Sequence, residues 1–144
     1  MSMIRVSFSA VGHENIVGTH KSTMEITKEA NLTPRGDCIV GVRCSIAPNG
    51  LSEEVMDMAT KRTTIIELEM RVGNMKEIVI GHGSAGLTYK DSVSMVTRTS
   101  EYECDRTLMV CADKAAADLS RKFIDRIARP DVEIDCELRY LTGP

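Results

Sequence analysis

Between Thr63 and Val72 the chain alternates without interruption, with Thr64, Ile66, Leu68, Met70 and Val72 on one side and Glu67, Glu69 and Arg71 on the other. Successive side chains of a strand point to opposite faces, so the pattern requires a strand with one face on a core and the other in water. It returns late in the chain, where Val132, Ile134, Cys136, Leu138 and Tyr140 alternate with Asp131, Glu133, Asp135, Glu137 and Arg139. It is also present early, with Ile4, Val6, Phe8 and Ala10 set against Arg5, Ser7 and Ser9. Half-buried strands this far apart in sequence commit the chain to a sheet assembled from distant segments.

The remaining elements fill in around them. Ile16 to Thr27 reads as an extended run with His20, Ser22, Met24 and Ile26 on one face and Thr19, Lys21, Thr23, Glu25 and Thr27 on the other. The turn-rich segment from Asn31 to Asp37, with Pro34 and Gly36, leads into a third strand carrying Cys38, Val40, Val42, Cys44 and Ile46 on one face. Leu51, Val55, Met58 and Ala59 fall near helical spacing after Ser52 or Gly50, and Pro48-Asn49-Gly50 precedes them. After Val72, Gly73-Asn74 signals a hairpin. A three-residue loop through Met75 is expected, because it aligns Lys76, Ile78, Ile80 and His82 with the apolar face; a two-residue loop would place Glu77 and Gly81 there. Val93 to Thr99 and Thr107 to Ala112 read as two further strands. A helix is expected from an Asp113 cap through Ala116, Leu119, Phe123 and Ile127, ending at Pro130.

This reading gives about seven strands and two helices in a single α+β domain spanning 1–144, with one mixed or mainly antiparallel sheet and helices on one face. No internal repeat, linker or low-complexity segment is visible. Aromatic residues make up 3% of the chain with no Trp, so the core is expected to be aliphatic, with the nine Met as adaptable filler. A formal net charge of −3 and few aromatics argue against nucleic acid as a partner. No window approaches the roughly 18 apolar residues that span a membrane, and no apolar leader is visible at the N-terminus. Five cysteines without a CxxC pair suit a reducing compartment. A cytoplasmic protein is therefore expected.

Chemistry concentrates between Phe8 and Val42. Polar residues at that density between strand-like runs cost stability unless they are paired with each other, with backbone or with a ligand. His13, His20, Glu25 and Asp37 are the candidates for acid–base work, although residues 20 and 25 fall on opposite faces of a regular strand and would need a bulge to meet. Cys38 would be a nucleophile only if a histidine approached it. His13, His20 and His82 are the candidate metal ligands, all near strand ends, but the spacing of the first two fits no compact metal motif. Asn15, Thr19, Thr23, Arg35 and Gly36 are candidate ligand-binding residues, and Arg106 is a candidate clamp in the second polar group, Cys104 to Thr107. No Walker or dinucleotide glycine pattern is present.

Gly12-His13-x-Asn15-Ile16, Thr19-His20-x-Ser22-Thr23-x-Glu25-Ile26-Thr27-Lys28 and Gly36-Asp37-Cys38-Ile39, followed by Cys104-Asp105-Arg106-Thr107-Leu108 and Ala112-Asp113-Lys114-Ala115, span nearly the whole chain. In these segments the sequence resembles a conserved archaeal family of uncharacterised single-domain proteins, a domain of unknown function. Ser22 stands where that pattern is associated with Thr, a change that keeps the hydroxyl. The resemblance implies a cytosolic α+β domain and carries over no activity and no cofactor. The expected function is binding of a small polar or anionic ligand at a sheet edge, with histidine acid–base chemistry open. The alternative is a structural or interaction protein acting through oligomerisation or strand-edge pairing. Whether the protein is an enzyme is left open at this point.

Overall fold

The structure is a computed structural model that describes residues 2–142. In chain order it contains β1 (Met3–Val11), β2 (Thr23–Thr27), β3 (Ile39–Gly41), α1 (Glu53–Ala59), β4 (Thr64–Val72), β5 (Met75–His82), β6 (Ser94–Arg98), β7 (Thr107–Met109), α2 (Arg121–Ile127) and β8 (Glu133–Thr142). The class is α+β, as the sequence reading expects. The strands form two four-stranded sheets, however, where one was expected. A long antiparallel sheet has the order β1-β8-β4-β5, and a short mixed sheet has the order β3-β2-β6-β7. In the short sheet β2 and β6 are antiparallel, and each takes its outer neighbour in parallel.

The alternating segments behave as their pattern requires. Ile66, Leu68, Met70 and Val72 of β4 and Ile134, Leu138 and Tyr140 of β8 are buried, and they share one core with Met24, Ile26 and Met95 of the short sheet. Val55, Met58 and Ala59 of α1 and Phe123, Ile124 and Ile127 of α2 complete it. Gly41 of β3 shows how closely the sheets approach, since a Cβ there would lie 3.1 Å from that of Ala10.

Several boundaries differ from the sequence reading, each for a local reason. Residues 16–22 are irregular, and β2 begins only at Thr23. The hairpin between β4 and β5 has a two-residue loop, with Val72 opposite Met75. Gly73 has φ +59°, the left-handed value that the first central position of a type II′ turn uses. The shorter loop turns Glu77 and Gly81 inward. Glu77 tolerates this because its carboxylate accepts Ser120 N at 2.7 Å and lies 3.4 Å from Lys114 Nζ. Asp113 does not cap a helix; its carboxylate accepts Ile80 N at 2.8 Å. The run expected to be one helix is a 3₁₀ turn (Ala116–Asp118) followed by α2, which Ser120 caps by accepting Phe123 N. The helical spacing was real, but it spans two elements that bury the same face.

The chain also repeats itself, contrary to expectation. Ser9 N donates to Ser45 Oγ as Ile80 N does to Asp113 Oδ1. Gly12 N donates to Val132 O as Gly83 N does to Thr64 O, and Cys44 N to Thr27 O as Ala112 N to Arg98 O. Arg43 and Cys111 share a left-handed φ, 49° and 52°. Residues 3–72 and 75–140 are thus two copies of one β-β-β-α-β unit, related by an approximate two-fold axis. The axis exchanges β1 with β5 and β4 with β8 in the long sheet, and β2 with β6 and β3 with β7 in the short one. It passes between Glu69 and Glu137, which are cross-strand partners, and between the partners Glu25 and Val96.

Candidate functional site

The loop from Gly12 to Ser22 is pinned from two sides. Arg121 on α2 donates to Gly18 O at 3.0 Å and Ala116 O at 2.9 Å, while Thr19 N and His20 N both donate to Asp37 O. This fixes His20 just before β2. Its Nδ1 accepts from Ser22 N at 3.2 Å and Thr23 N at 3.1 Å, with Thr23 Oγ1 also at 3.1 Å. In the other half Asp91 does the same, its Oδ2 accepting from Val93 N and Ser94 N at 3.0 and 2.7 Å. His20 therefore performs the turn-forming role of an aspartate. With Nδ1 as acceptor, the ring N–H sits on Nε2, which has no partner among the described residues.

Thr23 and Glu25 then project from the face of the short sheet turned away from the core. Cys38, just before β3, places its Sγ 3.7 Å from Glu25 Oε1. Burial pushes the Cys38 thiol up, Glu25 and Asp37 add to it, and the Thr23 hydroxyl only partly opposes them, leaving it at about 11. The thiol is neutral at physiological pH and is no nucleophile. Thr23, Glu25 and Asp37 thus act on Cys38, and His20 reaches this group only through its contact with Thr23. Residue 20 lies outside the strand, so the alternation of faces does not apply to it, but among the described residues no hydrogen bond joins it to Glu25.

The other candidates lie apart. His13 Nδ1 accepts Asn15 N at 2.9 Å, and Asn15 Nδ2 donates to Leu32 O at 2.7 Å, so both hold the loop itself. His82 is on β5 with Nδ1 bonded to Gly83 O at 2.8 Å. The histidines do not converge, and among the described residues no three His, Cys, Asp or Glu side chains are placed to hold a metal ion. Thr19 and Arg35 are exposed, and Gly36 N donates to Thr33 O in a turn. The Arg106 side chain is exposed and makes no hydrogen bond among the described residues; its carbonyl accepts Val96 N.

The sequence reading passed over Arg98 and named Cys104 and Thr107 only as the ends of a polar group around Arg106. Arg98 is the cross-strand partner of Thr23 on the same outer face. Its Nε donates to Thr107 Oγ1 at 2.8 Å, one terminal nitrogen lies 3.4 Å from Cys104 Sγ, and the guanidinium rests 4.8 Å above the Tyr102 ring. Burial pushes the Cys104 thiol up, but Thr107, the Arg106 amide and the Arg98 guanidinium outweigh it and bring it to about 7. The Cys104–Thr107 segment was legible as polar. Nothing local to it showed that Arg98 would reach it and Arg106 would not.

Two concavities lie elsewhere. One of about 230 Å³ is on the outer face of the long sheet, and one of about 550 Å³ lies between α1 and the ends of β1 and β8. No helix among the described residues is long and apolar enough to cross a membrane.

Residues 8–141 match the family described as a domain of unknown function, DUF371. Over 118 residues the chain is 40% identical to an uncharacterised protein of the archaeon Methanocaldococcus jannaschii, covering 82% of this chain and 87% of that one.

Proposed function

The chain belongs to the DUF371 family, and from that premise we propose that it binds a small polar ligand on the outer face of the short sheet, at His20, Thr23, Glu25 and Asp37. Glu25 carries this reading. It is a half-buried carboxylate in the middle of a sheet with no cationic partner among the described residues, and its equivalent in the other half is Val96, 2% exposed. The fold accepts a valine at this position, so it does not require the charge. A partly desolvated carboxylate without a counter-ion costs stability, and such a cost is expected where a group serves a ligand.

The chemistry of the cluster favours one kind of ligand. Two carboxylates beside a neutral thiol suit a hydroxyl, amide or ammonium group, and His20 Nε2 offers a donor to an acceptor on the same molecule. Anion binding has less support, since Thr19 and Arg35 lie exposed and Arg98 is engaged by Thr107. Strand-edge assembly has less too: the outer edges of the long sheet carry Arg5 and Lys76, charges that discourage pairing.

Glu25→Val, which copies the other half, is the informative variant. It is expected to fold and to gain about 1 kcal/mol in stability. A thermal-shift screen of amino acids, amines and polyols on both proteins then tests the reading. At least one compound should stabilise the natural chain and leave the variant unmoved; identical responses across the panel would remove Glu25 from any site.

A further inference from the structure

The long sheet packs one face on the core and turns the other outward. Of the five large apolar side chains that are exposed among the described residues, three stand together on that outward face: Met3, Ile65 and Ile80, at 46%, 41% and 39%. The register groups them. Met3 is opposite Leu141 and Leu141 is opposite Ile65, while Ile80 lies one row along from Ile65, so an apolar strip crosses one end of the sheet. Nothing in the fold asks for apolar residues here. The internal two-fold axis carries Ile65 onto Glu133, Ile80 onto Ser9 and Ile78 onto Ser7, all polar. A contiguous apolar strip that the same fold builds from polar residues on its other side marks a contact surface.

The charges on this face decide what can cover it. Arg5, Arg71, Arg139 and Lys76 nearly offset the carboxylates of β4 and β8, so neither a polyanion nor a strongly charged peptide is favoured. They are also placed so that the face complements itself. Arg139 of β8 is opposite Glu67 of β4, Asp135 of β8 is opposite Arg71 of β4, and Leu141 is opposite Ile65. A half-turn about an axis parallel to these two strands and midway between them exchanges the two columns. It sets a second copy's Glu67 over Arg139, its Arg71 over Asp135 and its Ile65 over Leu141. Asp135 and Arg71 gain most, because Asp135 has no ion pair among the described residues and the Arg71 side chain is 61% exposed. Glu69 and Glu137 also meet their counterparts, but each is already held by an arginine of its own chain, Glu69 by Arg71 at 3.2 Å and Glu137 by Arg139 at 3.0 Å.

We propose that two copies of this chain stack through the outer faces of their long sheets into a symmetric dimer. Leu141 and Ile65 make the apolar contact toward one end, and reciprocal Asp135–Arg71 pairs lie toward the other. Four paired strands of this length present a face of roughly 20 by 30 Å, on the order of 600 Å² in projection and more over the relief of its side chains. That approaches the roughly 800 Å² per partner of a stable interface. The half-turn keeps the strands of the two sheets nearly aligned, as stacked sheets require. The contact runs face to face, so the edge charges that discourage strand pairing do not oppose it. It leaves the short sheet free and does not depend on any ligand there.

Sedimentation velocity of the full chain over a dilution series is the test. The natural chain should pass from dimer to monomer as it is diluted. Ile65→Glu, which copies Glu133 of the other half, should fold and weaken the dimer about tenfold or more. Asp135→Arg and Arg71→Asp should each weaken it as well, by setting like charges against each other across the interface. An equal mixture of those two variants should regain the dimer, because each supplies the charge that the other lacks. Three results overturn the proposal: a natural chain that is monomeric at every concentration, which would leave the strip to a different partner; a dimer that Ile65→Glu does not weaken; or a mixture no more associated than its two components.

Discussion

Two cysteines on one sheet face show how far a residue's chemistry is set by its neighbours. Cys38 sits beside Glu25 and Asp37 and is held at about 11; Cys104 sits beside Arg98 and Thr107 and is brought to about 7. Alkylation with iodoacetamide is expected to reach Cys104 first among the five thiols, with a rate that rises through a midpoint near pH 7. Arg98→Ala should move that midpoint up toward the ordinary value of 9.0. The same shift links to stability. A thiol more acidic folded than unfolded stabilises the fold above its unfolded value, and that contribution is lost as pH falls from about 9 through about 7. Because Cys104 is only partly covered, the effect on stability is small and the alkylation profile is the sharper measure. The sequence revealed the polar residues but not their use. His20 resembled a catalytic or metal-binding histidine, and only the equivalent Asp91 shows that its Nδ1 is spent on a turn.

At the scale of elements, the two glycines that end β1 and β5 govern how each strand meets a helix. A Cβ at Gly12 would lie 2.3 Å from Ile127 O, and one at Gly83 would lie 2.4 Å from Ala59 O. These are backbone atoms at the ends of α2 and α1, which cannot turn aside as a side chain can. Gly12→Ala and Gly83→Ala should each cost about 3 kcal/mol in chemical denaturation. Gly50→Ala, with nothing within 4 Å, should be close to neutral. Elements with one wet face were legible, β4 and β8 almost to the residue, because alternation is imposed by water on one side. Residues 16–22 alternate as well, yet there the pattern follows the needs of a pinned loop. The repeat was hidden for a related reason. Gly-His occurs at 12–13 and again at 81–82, but the structural equivalent of Gly12 is Gly83, so the obvious match is out of step.

Across the whole molecule, the two sheets are joined by a buried pair of hydroxyls. Tyr89 Oη donates to Leu108 O in β7 at 2.7 Å, and Tyr140 Oη of β8 lies 2.9 Å from Tyr89 Oη. Burial raises both phenols above their usual range, so they stay neutral donors. The two are not interchangeable. Tyr140→Phe removes one donor and should cost about 1 kcal/mol, whereas Tyr89→Phe strands both Leu108 O and the Tyr140 hydroxyl and should cost about 2 kcal/mol or more. Denaturant melts of the two variants would show the difference, and equal losses would mean that the pair does not act as a relay between the sheets.

The order of the long sheet has a bearing on how the chain is made. Of the described strands β1 comes first and β8 last, and β8 is inserted between β1 and β4. On a ribosome, the flank of β1 that faces β8 must therefore wait unpaired while the strands between them are synthesised, although its other flank already bonds residues 42–45. Contacts so distant in sequence close slowly, and strands left without neighbours are where growing chains stick to one another. Arg5, on that waiting strand, adds charge where another nascent chain would otherwise dock. A polypeptide cut short before β8 would leave β1 without its partner in the long sheet and β4 paired only on its β5 side, so the two halves of that sheet come together only when β8 is present.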